Sequence, residues 1–171
     1  MGDVEEPWRL PATKALALIH ADKLTVEAYA ESLLSRISKR DEDVKAWVYL
    51  DPAFVLQRAR ELDSIPKSQR GPLHGLPVAV KDVILTKDMP TQHNSKIYES
   101  NSPSGVDAAP VITLRALGAL IFGKTCTTEF ATSKQGNWHQ NLTRNAHSTQ
   151  HTPGGSSAGS GAAVGLSLIH I

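Results

Sequence analysis

A chain of 171 residues, 40% hydrophobic and 20% charged, has the composition of an ordinary globular protein and the length of one domain. Its formal net charge of +1 gives no electrostatic support to nucleic-acid or membrane-surface binding. The opening residues MGDVEEPWRL are acidic and polar, unlike a secretory leader, and no apolar run approaches the ~18 residues of a membrane span, so we expect a soluble cytoplasmic protein. The single cysteine, Cys126, excludes an internal disulfide framework and a multi-thiolate metal site.

The first third of the chain has the apolar spacing of helices. Between Pro11 and Arg40, apolar residues fall mostly three or four apart and are interrupted by the segment HADKLT, which predicts two helices. Thr25 supplies a capping hydroxyl for the second helix, which we expect to end at about Lys39. A further helix is predicted from Pro52 to Ser64.

The middle of the chain alternates buried strands with a helix. The segment GPLHGLPVAVKDVILT is short of charge and rich in Val and Ile, which predicts a strand from Pro77 to Val80. Residues 89–104 are polar and irregular, typical of a surface loop. Helical spacing then runs from Ala109 to Leu117, and the ALIFG segment that follows is typical of a second buried strand. This order indicates an α/β layered fold, after which a long polar loop, residues 133–150, leads to TPGGSSAGSGAAVG.

The glycine-rich segment GGSSAGS, residues 154–160, has two interpretations. A flexible Gly/Ser linker has this composition. The segment passes directly into the small apolar run GAAVG, however, which favours a tightly packed helix. A glycine loop that opens a helix presents backbone N–H groups and small hydroxyls to anionic groups or to developing negative charge.

Lys81 directly follows the apolar strand LPVAV. A lysine at the end of a strand is most often a solvated rim residue. Here four apolar residues precede Lys81 and VIL follows after Asp82, which favours a buried or half-buried amine. A buried lysine is available as a base.

Three blocks in order, GPLHGLPVAVKD, DAAPVITLRALGALIFGKTCTTEFA and TPGGSSAGSGAAVG, resemble the amidase-signature family of serine hydrolases. The resemblance implies an α/β fold, the incomplete N-terminal portion of a mixed central sheet flanked by helices, with residues 1–165 belonging to a single amidase domain. It implies hydrolysis of a small-molecule amide through an acyl-enzyme, with no metal or organic cofactor. A close relative of this chemistry transfers the released ammonia to a misacylated transfer RNA in a multisubunit complex, and these residues do not separate the two activities.

In that family a serine nucleophile is activated through a second serine and a lysine. By motif, the resemblance makes Lys81 the catalytic lysine and Ser156 the bridging serine, which follows a cis peptide bond in the family. The supporting positions that it implies are Gly154, Gly155 and Ser157 around the glycine loop and its oxyanion side, and Ala131 and Ser133 beside the substrate.

The chain departs from the family pattern at several points. The family usually has Asn-Pro where this chain has Asn145-Ala146, and a glycine in the loop at the position of Ala158. Its nucleophile lies roughly two dozen residues beyond the bridging serine, whereas this chain stops at Ile171. We therefore expect the chain alone to be inactive. We also expect the protein to continue past Gly165 and residues 166–171, LSLIHI, to be a non-native tail, since they resemble the translation of a sequencing adapter.

Two other features have competing interpretations. The segment GALIFGKT, residues 118–125, satisfies the phosphate-loop pattern, so a nucleotide-binding protein is the rival hypothesis. A phosphate loop follows a strand and opens a helix, whereas here a helix is predicted to end at Gly118 and a strand to follow. Cys126 has no assignable histidine partner, which favours a small buried residue over a nucleophile.

Overall fold

The computed structural model describes residues 6–132, 143–167 and 169. In these ranges a mixed sheet contains the strands β1 (Trp47–Tyr49), β2 (Pro77–Lys81) and β3 (Leu120–Thr125) in the order β1-β3-β2, with the central strand antiparallel to β1 and parallel to β2. The α/β fold that the sequence predicts is confirmed. The elements of the described ranges are α1 (Ala12–His20), α2 (Val26–Val44), β1 (Trp47–Tyr49), α3 (Pro52–Asp63), β2 (Pro77–Lys81), α4 (Ala109–Ala116), β3 (Leu120–Thr125) and α5 (Ala158–Gly165).

Helix α2 begins as predicted and ends later. The Thr25 hydroxyl accepts a hydrogen bond of 3.1 Å from a first-turn N–H. The predicted end near Lys39 is wrong, because the helix continues to Val44. Lys45, in the left-handed conformation, donates its N–H to the Asp41 carbonyl and closes the helix. This backbone hydrogen bond ends the helix. The polar residues before it have no apolar period, so the sequence pattern does not show that the helix extends to Val44.

The two strands of the parallel pair differ slightly from their predicted bounds. The strand predicted from Pro77 to Val80 also includes Lys81, and the one predicted over residues 119–123 is displaced to Leu120–Thr125. Residues 96–98 form a short 3-10 turn within the predicted loop 89–104. All six residues of β3 are buried, as expected for the central strand of a covered sheet.

Two apolar cores contact the sheet. The larger one joins helices α1, α2, α3 and α5 to the sheet, and Tyr29, Leu33 and Phe122 are fully buried in it. The smaller one includes Val80 of β2 and Val111 of α4. Burial of this apolar surface is the main stabilising contribution to the fold. No helix within the described ranges is both long and apolar enough to cross a bilayer.

Two residues of the predicted non-native tail belong to the larger core. Leu166 is 7% exposed and Ile169 is 1% exposed. The Leu166 carbonyl also accepts hydrogen bonds of 3.4 Å from the Arg36 guanidinium. The identity of residues 166–171 as a non-native tail stays a prediction.

A carboxylate ties the end of α3 to the start of α2. Asp63 accepts the backbone N–H of Val26 at 2.8 Å and that of Glu27 at 2.9 Å. These donors belong to the first turn of α2 and have no partner within the helix. Asp63 therefore acts as a cap supplied by a second helix.

Replacing Asp63 by alanine should lower the free energy of unfolding by about 1–2 kcal/mol, because two helix donors lose their acceptor. Urea denaturation followed by circular dichroism measures the change. Asp43→Ala is the matched control, since Asp43 is an exposed aspartate of α2, the helix whose first turn Asp63 caps. Equal destabilisation by the two substitutions would show that the Asp63 cap contributes nothing specific.

Candidate active site

The carboxyl ends of β2 and β3 lie side by side at one edge of the sheet. Lys81, the last residue of β2, pairs with Thr125, the last residue of β3. The N–H of Asp82 donates to the Thr125 carbonyl at 3.0 Å and extends the ladder by one bond. This pairing fixes the backbone from which the half-buried Lys81 side chain extends.

Helix α5 begins in contact with this edge. The Gly159 N–H donates to the Cys126 carbonyl at 2.9 Å. A Cβ at Gly159 would lie 2.3 Å from the Ala46 carbonyl oxygen and 2.3 Å from the Cys126 nitrogen, so only glycine permits this approach. Next to this contact, the hydroxyls of Thr125 and Ser160 are hydrogen-bonded at 2.8 Å.

The contact places Ser156 against Lys81. The Lys81 Nζ donates to the Ser156 Oγ at 2.7 Å, the proximity that the two motifs predict. The peptide bond between Gly155 and Ser156 is cis, which is also the predicted geometry. The Thr128 N–H donates to the Ser156 carbonyl at 3.1 Å and holds the serine backbone. A lysine and a serine in direct hydrogen-bond contact can exchange a proton.

The supporting glycines and Ser157 surround this pair. Gly154 has a φ of +87° and is exposed, and a Cβ at Gly155 would lie 3.0 Å from the Thr128 methyl group. Ser157 is exposed and directly precedes the first residue of α5. Their predicted roles beside the oxyanion stay predictions.

Of the two predicted substrate-lining residues, Ala131 and Ser133, the structure describes only Ala131. Ala131 is exposed at the end of a 3-10 turn, Glu129–Ala131, with a φ of 56°. It is not part of the lining of the cavity beside Lys81. Ser133 lies outside the described residues. Contact of either residue with a substrate therefore stays a prediction.

A cavity of about 320 Å³ opens beside Lys81. Its walls are apolar side chains of β2 and α4, and its polar lining is Lys81, Ser157 and Ser160. A second cavity of about 350 Å³ is lined by Trp8, Arg36 and their neighbours and contains neither Lys81 nor Ser156. The first cavity has the mixed lining typical of a small-molecule site, apolar walls with a few convergent polar groups.

A buried ion pair that the sequence does not predict lies beside the site. The Lys124 Nζ lies 3.3 Å from the Asp82 carboxylate, and the two side chains are 0% and 1% exposed. Lys124 also donates to the Thr91 hydroxyl at 2.6 Å and to the Pro90 carbonyl at 3.1 Å. Burial lowers the pKa of Lys124, while the Asp82 carboxylate acts to raise it. The available signal was the presence of charged residues inside two apolar segments, Lys81 and Asp82 in VAVKDVIL and Lys124 in LIFGKT.

The phosphate-loop pattern has the wrong conformation for nucleotide binding. Gly118 follows the end of α4, and residues 120–125 form β3 instead of a loop that opens a helix. The amine of Lys124 is paired with the Asp82 carboxylate and hydrogen-bonded to the Thr91 hydroxyl and the Pro90 carbonyl. Cys126 is 2% exposed, and burial raises its pKa to about 12, so it has the buried, unreactive environment that we expect.

Gly159→Ala should displace α5 from the sheet edge, because the new methyl group would collide with backbone atoms. We expect a loss of about 3 kcal/mol in the free energy of unfolding, measured by urea denaturation. Gly161→Ala in the same helix is the control, because nothing lies within 4 Å of a Cβ there. That substitution should be neutral or stabilise by about 0.5–1 kcal/mol. Similar effects of the two substitutions would contradict the tight contact at Gly159.

The sequence and the fold both have known counterparts. The amidase family model matches residues 28–171. The chain is 40% identical over 159 residues to a glutamyl-tRNA(Gln) amidotransferase subunit from Symbiobacterium thermophilum, covering 91% of this chain and 32% of that protein. Its identity to the corresponding protein from Salinibacter ruber is 40% over 162 residues, covering 92% of this chain and 31% of that protein.

A solved structure, the peptide amidase of Stenotrophomonas maltophilia, matches with a TM-score of 0.83 and 32% identity, covering 94% of this chain and 35% of the amidase. The chain thus spans about a third of the length of these relatives. The family match, the amidotransferase relatives and this amidase structure agree with the three sequence blocks. The chain belongs to the amidase-signature family.

Proposed function

We propose that this chain is part of an amide-bond hydrolase in which Lys81 and Ser156 relay the proton of a serine nucleophile. The observation that carries the proposal is the hydrogen bond of 2.7 Å between the Lys81 Nζ and the Ser156 Oγ, at the edge of the sheet. Membership of the amidase-signature family supports the reaction class. The proposed relay needs only side chains and backbone groups.

In the proposed reaction Lys81 is the terminal base of the relay. Ser156 passes its hydroxyl proton to the Lys81 amine and receives the proton of the nucleophilic serine, whose oxygen attacks the carbonyl carbon of the amide. The negative charge that develops on the carbonyl oxygen requires backbone N–H donors. Collapse of the tetrahedral intermediate breaks the C–N bond, and the relay returns the proton to the departing amine. Water then cleaves the acyl-enzyme by the same route.

The surroundings of Lys81 suit a base. Within the described residues Lys81 forms no ion pair, because the carboxylate of its neighbour Asp82 is bound to Lys124. The Lys81 side chain is half-buried and its nitrogen is directed to Ser156. The apolar wall of the adjacent cavity would hold the part of a small amide that does not react.

We propose that the nucleophile lies outside the part of the relatives that this chain matches, as the family resemblance implies. The chain spans about a third of their length, and the glycine loop supplies Ser156 as a relay residue. We therefore propose that the isolated chain has no amidase activity. Turnover of a simple amide by the isolated chain, abolished by Lys81→Ala, would show that another residue acts as the nucleophile.

A second candidate function is favoured by the sequence relatives. Two of these proteins, each 40% identical to this chain, are named as parts of a glutamyl-tRNA(Gln) amidotransferase. The same relay would release ammonia from a carboxamide such as that of glutamine, and an acceptor would then take up the ammonia in place of water. The two functions share every step at Lys81 and Ser156.

In the full-length protein, Lys81→Ala should lower kcat/KM for amide hydrolysis by about 10²–10⁴-fold, because the relay loses its terminal base. Ser156→Ala should cause a loss of the same order. Steady-state ammonia release measures both effects. Lys87→Ala is the control, since Lys87 is an exposed lysine shortly after β2. Retention of activity by Lys81→Ala would refute the proposed relay.

The same assay separates the two candidate functions. Ammonia release from simple carboxamides without any acceptor favours a hydrolase. Release from glutamine that increases when glutamyl-tRNA(Gln) is added, with formation of glutaminyl-tRNA(Gln), favours the amidotransferase function.

A further inference from the structure

We propose that Asn94 is a positioning residue for the Lys81–Ser156 pair. Its side chain and backbone connect the segment that follows Lys81 to the segment that holds Ser156, so that the two partners stay within hydrogen-bond distance. The inference rests on the proposed function, in which this pair is the proton relay. It assigns Asn94 no contact with the substrate.

Asn94 is a buried residue in a conformation that few residues adopt. It is 8% exposed and has a φ of 50°, in the left-handed region that asparagine tolerates better than most side chains. Its backbone N–H lies 3.3 Å from the Asp82 carboxylate. Its side-chain Nδ2 donates to the Thr127 carbonyl at 2.6 Å. A single residue therefore bridges two segments that are distant in the sequence.

The Asp82 end of the bridge is firmly held. Asp82 directly follows Lys81, and its N–H extends the ladder to Thr125. Its carboxylate is paired with the buried Lys124 and also accepts the N–H of Gln92. A displacement of this carboxylate would leave a buried ammonium without its charge partner, which is costly.

The Thr127 end of the bridge leads directly to Ser156. Thr127 precedes Thr128, whose N–H donates to the Ser156 carbonyl at 3.1 Å. The route from Lys81 through Asp82, Asn94 and Thr127 to Ser156 is closed by the 2.7 Å hydrogen bond between the lysine and the serine. Asn94 is thus bonded both to the residue that follows Lys81 and to the segment that binds the Ser156 backbone.

The neighbouring His93 N–H also donates to the Asp82 carbonyl at 3.1 Å, and other bonds of the same loop reach residues after Thr128. The His93 carbonyl accepts the N–H of Phe130 at 2.9 Å, and the Ser95 hydroxyl donates to Glu129 at 2.8 Å. Both attach the loop to residues beyond Thr128. The Asn94 Oδ1 is buried with no hydrogen-bond partner among the described residues, so the bond to Thr127 is the polar contact that orients the amide.

The test compares three variants of the chain by the reactivity of Lys81. Asn94→Gly keeps the left-handed backbone and the N–H to Asp82 but removes the donor to Thr127. Asn94→Asp keeps the shape of the side chain and replaces the donor by an acceptor. Asn101→Ala is the control, since the Asn101 amide donates to the Thr91 carbonyl at 3.0 Å, in the same loop but without a bond to Thr127.

The chain is treated with acetic anhydride, and peptide mass spectrometry gives the acetylation rate of Lys81 relative to that of Lys14, an exposed lysine on α1. We expect the relative rate to rise about fivefold in Asn94→Gly and Asn94→Asp, the factor that corresponds to one ordinary hydrogen bond, and to stay unchanged in Asn101→Ala. Thermal unfolding shows which variants are folded, and Asn94→Asp decides the result if the glycine variant is not.

An unchanged Lys81 rate in a folded Asn94 variant, or an equal rise in Asn101→Ala, overturns the positioning role. The readout does not depend on turnover. Activity that survives Lys81→Ala in the full-length protein would refute the relay and leave the acetylation result standing, so the two failures are distinguishable.

Discussion

Helix α5 approaches the end of β3 so closely that a methyl group at Gly159 would lie 2.3 Å from backbone atoms of Ala46 and Cys126. The rest of the site depends on this contact. The N–H of Gly159 is bonded to the Cys126 carbonyl, and the first residues of the helix are therefore held against the strand end. Because the loop before α5 carries Ser156, the approach that only glycine permits also determines where the serine hydroxyl lies relative to Lys81.

Charge distribution around the strand ends supports the same arrangement. Two lysines occupy neighbouring positions of the parallel pair, but a single carboxylate, that of Asp82, is buried next to them among the described residues, and it pairs with Lys124. This assignment separates their roles. Lys124 ties the loop at Pro90 and Thr91 to the sheet, whereas the nitrogen of Lys81 is directed to the Ser156 hydroxyl. A buried ion pair adds little net stability, but removing one partner would leave the other charge buried and uncompensated.

The elements predicted well were those with a local signal. Apolar spacing and Thr25 placed the start of α2, and the glycine motif together with the residue that ends β2 predicted the Lys81–Ser156 contact. Strand β1, Trp47–Tyr49, was not predicted because three residues carry no period, and its conformation depends on pairing with β3. The Lys124–Asp82 pair is likewise a product of the fold, since parallel pairing brings together residues far apart in the sequence. The sequence GALIFGKT satisfies the phosphate-loop pattern. Only the position of Lys124 in β3 shows that this lysine belongs to an ion pair.

The fold itself brings Lys81 and Ser156 into a direct interaction. A double-mutant cycle with Lys81→Met, Ser156→Ala and the double variant, measured by urea denaturation of the chain, tests this interaction most directly. A hydrogen bond between the two side chains predicts a coupling free energy of about 1 kcal/mol or more. Additive effects of the two substitutions, within about 0.3 kcal/mol, would contradict the account.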